Sequence, residues 1–283
     1  MPQRNYFQGM LHSGKPSDAA LRSAYGLKPL YLTVRTSYTG WTDETALPTT
    51  DWYDNAADDL DPPDNWGMID HEAWPATTQA ERLATATKFA TVYTEMKTRR
   101  PDLSFGFYGY CCIRDLFRAV KDKDHADYLT WQGMNDDMAA MASVVDGFFP
   151  TIYFFYTIDP DGEIAVAPAT LYYQRNLEET RRLATTYGDP DRPIYPYIHW
   201  RKTNDLYPLD DAVWAAQVDA AFSYADGCVL WGGWDVAENT GPVTWADDAE
   251  NETWWQTFRS KLPNRYQAGS FARVTTAAGQ WQR

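Results

Sequence analysis

Short apolar-aromatic runs alternate with longer segments of helical period along the whole chain. The runs lie at 6–11, 29–35, 66–72, 103–110, 147–156, 193–200 and 227–234. Several are almost continuously apolar, the pattern of strands covered on both faces. Between them, Leu83, Ala86, Phe89, Tyr93 and Met96 recur at three- and four-residue steps and predict a helix over 77–99. Trp214, Val218, Ala221, Phe222 and Ala225 predict another over 209–225, with Asp210 or Asp211 as its acidic start. A third helix is predicted over 170–186, stopped by Gly188-Asp189-Pro190.

Seven strand–helix alternations without a break in composition predict one parallel α/β domain over 1–262, with the polar stretch 263–283 as a loosely held tail. A closed barrel and an open doubly wound sheet both give this alternation. The chain has neither a G-x-G-x-x-G after an early strand nor a G-x-x-x-x-G-K-[ST], which favours the barrel. A barrel domain of this kind commonly takes roughly 250 residues, and the chain has 283.

Charge narrows the partners. Lys and Arg number 25 against 39 Asp and Glu, a net charge of −14, so no basic footprint for nucleic acid or for an anionic membrane surface is expected. No apolar run is long enough to span a bilayer, and the first residues, MPQRNYFQGMLHSGK, lack the apolar stretch of a signal peptide. The three cysteines include the adjacent pair Cys111 and Cys112, which is neither a disulfide framework nor zinc spacing. Aromatic residues are 16% of the chain, with 13 Trp and 19 Tyr. Such side chains serve a large core and sugar stacking equally well, and composition does not separate the two.

In a barrel, functional side chains sit at the C-terminal ends of the strands. The run ending Ile69-Asp70-His71-Glu72-Ala73-Trp74-Pro75 is the most informative. Alternation along a strand puts Asp70 and Glu72 on one side and His71 on the other. Two carboxylates held close do not both ionise readily, so one keeps a proton near neutral pH and can act as a general acid. A metal site built on Asp70, His71, Glu72 and His199 is disfavoured by the same alternation, and neither a metal nor a cofactor is expected. Tyr108 and Tyr153 end the next two runs and either reach the barrel mouth or fill its core. Trp231 and Trp234, flanking a Gly pair, offer a sugar-stacking floor or a barrel filling. No G-x-S-x-G or Ser/His/Asp order points to a hydrolase triad, and Cys111 and Cys112 read as buried or incidental thiols.

At these residues the sequence resembles the hyaluronidase family of glycoside hydrolases. The stretch from Ile69 to Pro75 is similar to the family's I-D-W-E-x-W-R-P, and Gly106-Phe-Tyr-Gly-Tyr110 to G-F/Y-Y-G-F-P. Phe149-Pro-Thr-Ile-Tyr153 is similar to Y-P-S-I-Y, and Gly227-Cys-Val-Leu-Trp231, continuing to Trp234, to G-V-V-L-W-x-x-W. A further stretch, residues 188–197 with 206–211, resembles the segment between the last two. The resemblance implies a distorted TIM-type barrel of about seven parallel strands and a retaining mechanism in which the substrate's own acetamide is the nucleophile. Glu72 would be the acid/base and Asp70 would orient the N-acetyl group. Tyr108 and Tyr153 would position it, and Trp231 would shape the floor. Tyr197, Trp234 and His71 complete the expected substrate contacts.

The resemblance also has departures: His71 stands where the family has Trp, and Cys111-Cys-Ile-Arg-Asp115 replaces P-D-C-Y-N. The family's substrate-binding Arg falls near Arg175 or Asn176. The implied partner is an N-acetylhexosamine-containing, glycosaminoglycan-like polysaccharide cut in mid-chain, outside a cell or at a virion. Two alternatives stand beside it: a barrel that binds carbohydrate without cutting it, and a glycosidase using Asp235 or Glu238 as a second protein carboxylate.

Overall fold

The computed structural model describes residues 4–61, 65–154, 166–201, 208–233, 243–245 and 252–263. The strands are β1 (Asn5–Met10), β2 (Leu27–Pro29), β3 (Tyr31–Val34), β4 (Trp66–Asp70), β5 (Ser104–Phe107), β6 (Tyr197–Ile198) and β7 (Gly227–Gly232). Every pairing among them is parallel, in the orders β2-β1-β7-β6 and β3-β4-β5. Two connections close these into a ring. β2 runs into β3 through Leu30, changing partner from β1 to β4. On the other side, residues 148–151 bridge β5 to β6 through Tyr108 with Phe149, Phe148 with Ile194 and Thr151 with Tyr197. The barrel thus has seven crossings, one at each of the seven runs read from the sequence.

The helices that follow the strands are α1 (Asp18–Tyr25), α2 (Thr50–Asp59), α3 (Gln79–Arg99), α4 (Leu116–Ala119), α5 (Ala126–Asp136), α6 (Ala139–Ala142), α7 (Val166–Tyr187), α8 (Asp211–Tyr224) and α9 (Thr253–Lys261). The long predicted helices are α3, α7 and α8. α3 starts in a capping box, where the Glu81 N–H donates to Thr78 Oγ1 at 3.3 Å and the Thr78 N–H to Glu81 Oε2 at 2.8 Å. Ala86, Phe89 and Met96 of the predicted stripe are buried, and only its start differs. Leu83 is 50% exposed, and Arg82 turns inward instead, its Nε 2.9 Å from Asp137. The acidic stretch near 54–64 is in part α2, whose Trp52, Tyr53, Ala56 and Ala57 are buried while Asp54 pairs outward with Arg99 at 2.6 Å. Residues 264–283, the expected tail, lie outside the described residues.

Strand parity sorts the side chains into two cores. Phe7, Met68, Phe149, Tyr153, Tyr195, Tyr197 and Val229 fill the barrel, with Trp66, Tyr108 and Trp231 packed on them. The larger core lies between barrel and helices and holds Ile69, Phe105, Phe148, Ile152, Ile198 and Leu230 from the outer strand faces. Most of the tryptophans are there too: Trp41, Trp52, Trp74, Trp131, Trp200, Trp214, Trp254 and Trp255. A buried Phe such as Phe89 contributes about 3–5 kcal/mol by its loss on truncation, so this layer holds the ring in shape.

Candidate active site

β4 positions the two carboxylates. Trp66 and Met68 face the barrel interior and Ile69 faces the helices, so the pleat carries Asp70 to the inner side at the mouth. Glu72 lies two residues beyond, past the strand end, and is exposed. Burial, and to a lesser extent the Glu72 charge, together raise the Asp70 carboxyl to about 7. Asp70 therefore keeps its proton into the neutral range.

His71 is turned away, as alternation requires. It is 4% exposed, stacked on Trp41 with ring centroids 4.3 Å apart and set against the Trp74 edge at 4.4 Å. Its Nε2 lies 3.1 Å from the Glu44 carbonyl oxygen, and burial pushes its pKa down. This corrects its expected place among the substrate contacts: His71 anchors the strand end in the outer core. Metal ligation with its neighbours is excluded by the same orientation, and the described residues contain no cluster of three His, Cys, Asp or Glu side chains suited to a metal.

Three tyrosines converge below the carboxylates. Tyr108 meets Tyr197 edge to face at 4.7 Å, and Tyr153 lies 6.4 Å from each. The Tyr153 hydroxyl donates to Tyr108, which raises the Tyr153 pKa and lowers that of Tyr108. Burial is the larger effect, and it holds all three hydroxyls protonated. The buried Tyr197 hydroxyl has no hydrogen-bond partner among the described residues, and both Asp70 and Tyr108 act on it electrostatically. A buried donor without an acceptor is costly. Such a group beside a carboxylate is able to donate to a ligand oxygen.

Trp231 forms the wall on the far side. Its ring sits 6.0 Å from Tyr197, and it stands in register with Gly9 of β1. Trp234, Asp235 and Glu238 lie outside the described residues. Arg175 and Asn176, where the resemblance would put a binding arginine, belong to packing. Arg175 pairs with Glu178 at 3.0 Å, its guanidinium carbon 5.8 Å from the centre of the Tyr128 ring. Asn176 is fully buried, donating to the Tyr172 carbonyl and accepting from Cys112 Sγ. Burial raises Tyr108, Tyr110 and Tyr153, and the charge of Arg114 offsets a small part of that rise. Only its closeness in sequence to Tyr110 hinted at this. Cys111 and Cys112 are free and fully buried, as expected of thiols without a chemical role, and burial raises both.

No family model matches the chain. A stretch of 140 residues, 48% of the chain, is 28% identical to human Hyaluronidase-1 and covers 30% of that protein's length. The crystal structure of bee venom hyaluronidase shares the fold with a TM-score of 0.60 at 14% identity, over 91% of this chain and 96% of that one. Catalytic-site mutants of active domain 2 of a Pyrococcus furiosus chitinase align with a TM-score of 0.53 at 12% identity, over 92% of this chain and 97% of theirs. The resemblance to hyaluronidases is thus present in sequence and in fold, and the fold is a TIM-type α/β barrel.

Proposed function

We propose that the chain is an endo-acting glycoside hydrolase that cleaves an N-acetylhexosamine-containing polysaccharide with retention of configuration, the substrate's acetamide serving as nucleophile. One observation carries this reading. A half-buried carboxylate, Asp70, and an exposed one, Glu72, share one side of a strand end above three tyrosine hydroxyls.

Glu72, open to the cleft, gives its proton to the glycosidic oxygen as that bond breaks. The acetamide carbonyl oxygen bonds to the anomeric carbon, forming an oxazolinium ring. The N–H of the acetamide donates to Asp70, and that contact stabilises the Asp70 anion, so its proton is left to Glu72. Tyr108, which accepts from Tyr153 and so keeps its own proton to donate, and Tyr197 hold the acetamide oxygen while charge develops. Water then attacks the anomeric carbon, its proton passing to Glu72 and the ring opening to restore the acetamide. Trp231 supplies a flat apolar wall for the sugar. The route is one of the exceptions to the two-carboxylate scheme of most glycosidases.

The test is inhibition by a thiazoline mimic of the cyclised acetamide. Competitive inhibition, lost in Asp70→Asn, is expected. Turnover of N-acetylated polymer that is insensitive to the thiazoline would transfer the role of nucleophile to a protein carboxylate. Glycan binding without turnover would leave a binding barrel.

A further inference from the structure

Gln217 is a fully buried polar side chain on the core-facing side of α8, with Val213, Trp214 and Val218 as its buried neighbours on that helix. Its amide meets the two strand ends that carry Tyr153 and Tyr197. A parallel pair is held by evenly spaced rungs. Here the Tyr197 N–H donates to the Pro150 carbonyl at 2.8 Å, and the Ile152 N–H to the Tyr197 carbonyl at 3.1 Å. The next rung toward the mouth would run from the His199 N–H to the Ile152 carbonyl. Gln217 engages both groups instead. Its Oε1 accepts the His199 N–H at 2.8 Å, and its Nε2 donates to the Ile152 carbonyl at 3.0 Å. An N–H can only donate and a carbonyl only accept, so the amide fits one way round.

The amide is thus a spacer in the ladder. One hydrogen bond would draw the backbones to the roughly 4.8 Å spacing of paired strands. Two bonds with an amide between them hold the ends wider. A position that asked only for volume would take Leu or Met, without the cost of burying an amide. The spacer adjoins the reaction centre. Tyr153 follows Ile152 directly, and Tyr197 lies two residues before His199. The Tyr153 and Tyr197 rings are 6.4 Å apart, and Tyr153 donates to Tyr108. The separation of the two strand ends therefore sets the separation of the Tyr108 and Tyr197 hydroxyls.

We propose that Gln217 is a positioning residue for the reaction: its amide, inserted between Ile152 and His199, fixes the width of the pocket in which Tyr108 and Tyr197 take the acetamide. The inference rests on the glycosidase reading above. It gives that pocket a determinant on a helix outside the barrel. Gln217 touches neither the sugar nor the reacting atoms, and it acts through Tyr153 and Tyr197.

The test is thiazoline affinity together with kcat and KM on an N-acetylated polymer. Gln217→Leu keeps the bulk and removes both hydrogen bonds. Misplacement of a reacting group by about 1 Å costs on the order of 10²-fold, so thiazoline affinity and kcat should each fall by about that factor, with KM changed less. Val218→Ala, a neighbouring buried change that leaves the ladder intact, should lower the melting temperature and leave thiazoline affinity of the folded protein unchanged. Gln217→Glu at pH 5 should keep wild-type affinity, because a buried carboxyl holds its proton there, accepting from His199 and donating to Ile152. If Gln217→Leu does not fold, Gln217→Glu decides alone. Its thiazoline affinity, relative to wild type at the same pH, should then fall between pH 5 and pH 9 as the introduced carboxyl ionises. Wild-type affinity in folded Gln217→Leu, or, where that protein does not fold, a Gln217→Glu ratio constant with pH, overturns the positioning role while the glycosidase reading stands. A wild-type protein that does not bind the thiazoline overturns that reading and the inference with it.

Discussion

Gly9 and Trp231 are opposite neighbours in the β1–β7 ladder, and a Cβ built on Gly9 would stand 2.4 Å from Trp231 Cε3. The Trp ring lies where a side chain on β1 would be. Gly9 therefore sets the position of Trp231, the proposed sugar wall, from a neighbouring strand. Gly9→Ala forces Trp231 aside at a cost of about 1–3 kcal/mol for an overpacked site. Its expected signature is a raised KM with a smaller change in kcat, with far-UV circular dichroism unchanged.

Asp70 trades stability for its place. Its folded-state pKa of about 7 lies above the unfolded value, so the folded chain binds the proton more tightly and loses stability as pH rises from about 4 through 7. Asp70→Asn removes the partly desolvated charge. Its melting temperature should exceed that of the wild type at pH 8 and differ little at pH 4, while activity on N-acetylated polymer is lost. Thermal melts across that range check it, and an equal effect at both pH values would contradict it.

The Asp70 proton also fixes the pH profile. Asp70 loses it in the neutral range, and with it the proton that the proposed route passes on, so kcat/KM should fall as pH rises past about 7. Asp70→Asn should remove that limb near pH 7 from any residual activity. A limb that stays in place would show that Asp70 is not the group that titrates there.

The buried Arg82–Asp137 pair ties α3 to the end of α5, with 2.9 Å between Nε and Oδ2 and both side chains 9% exposed. Arg82 also donates to the Thr77 carbonyl at 2.6 Å. Arg82→Met leaves Asp137 buried without its partner and should cost about 3–5 kcal/mol. Denaturant unfolding measures this, and the thiazoline affinity of the folded fraction should be unaffected.

The ring was legible because each buried parallel strand writes a run of apolar residues, and all seven runs became crossings. The D-x-E spacing at 70 and 72 and the opposite orientation of His71 followed from strand pleat alone. Which aromatics line the mouth did not follow, since Tyr197 and Trp200 share one apolar run and only barrel parity separates them. The helix α2 was hidden by its acid-rich outer face. On α3, Ala86, Phe89 and Met96 are buried as read, but Leu83 is not, because Arg82 enters the core by pairing with Asp137, a partner 55 residues away that no local period reports. Arg114 escaped notice for a similar reason: its role depends on how the loop after β5 folds back on the tyrosines.

The most direct measurement is a reducing-end assay of the wild-type protein and Glu72→Gln on hyaluronan, chondroitin, chitin-type oligomers and a neutral glucan. The account predicts cleavage of an N-acetylated polymer by the wild type, reduced about 10²–10⁴-fold in Glu72→Gln with glycan binding kept. Full turnover by Glu72→Gln, or wild-type cleavage restricted to the glucan, would contradict it.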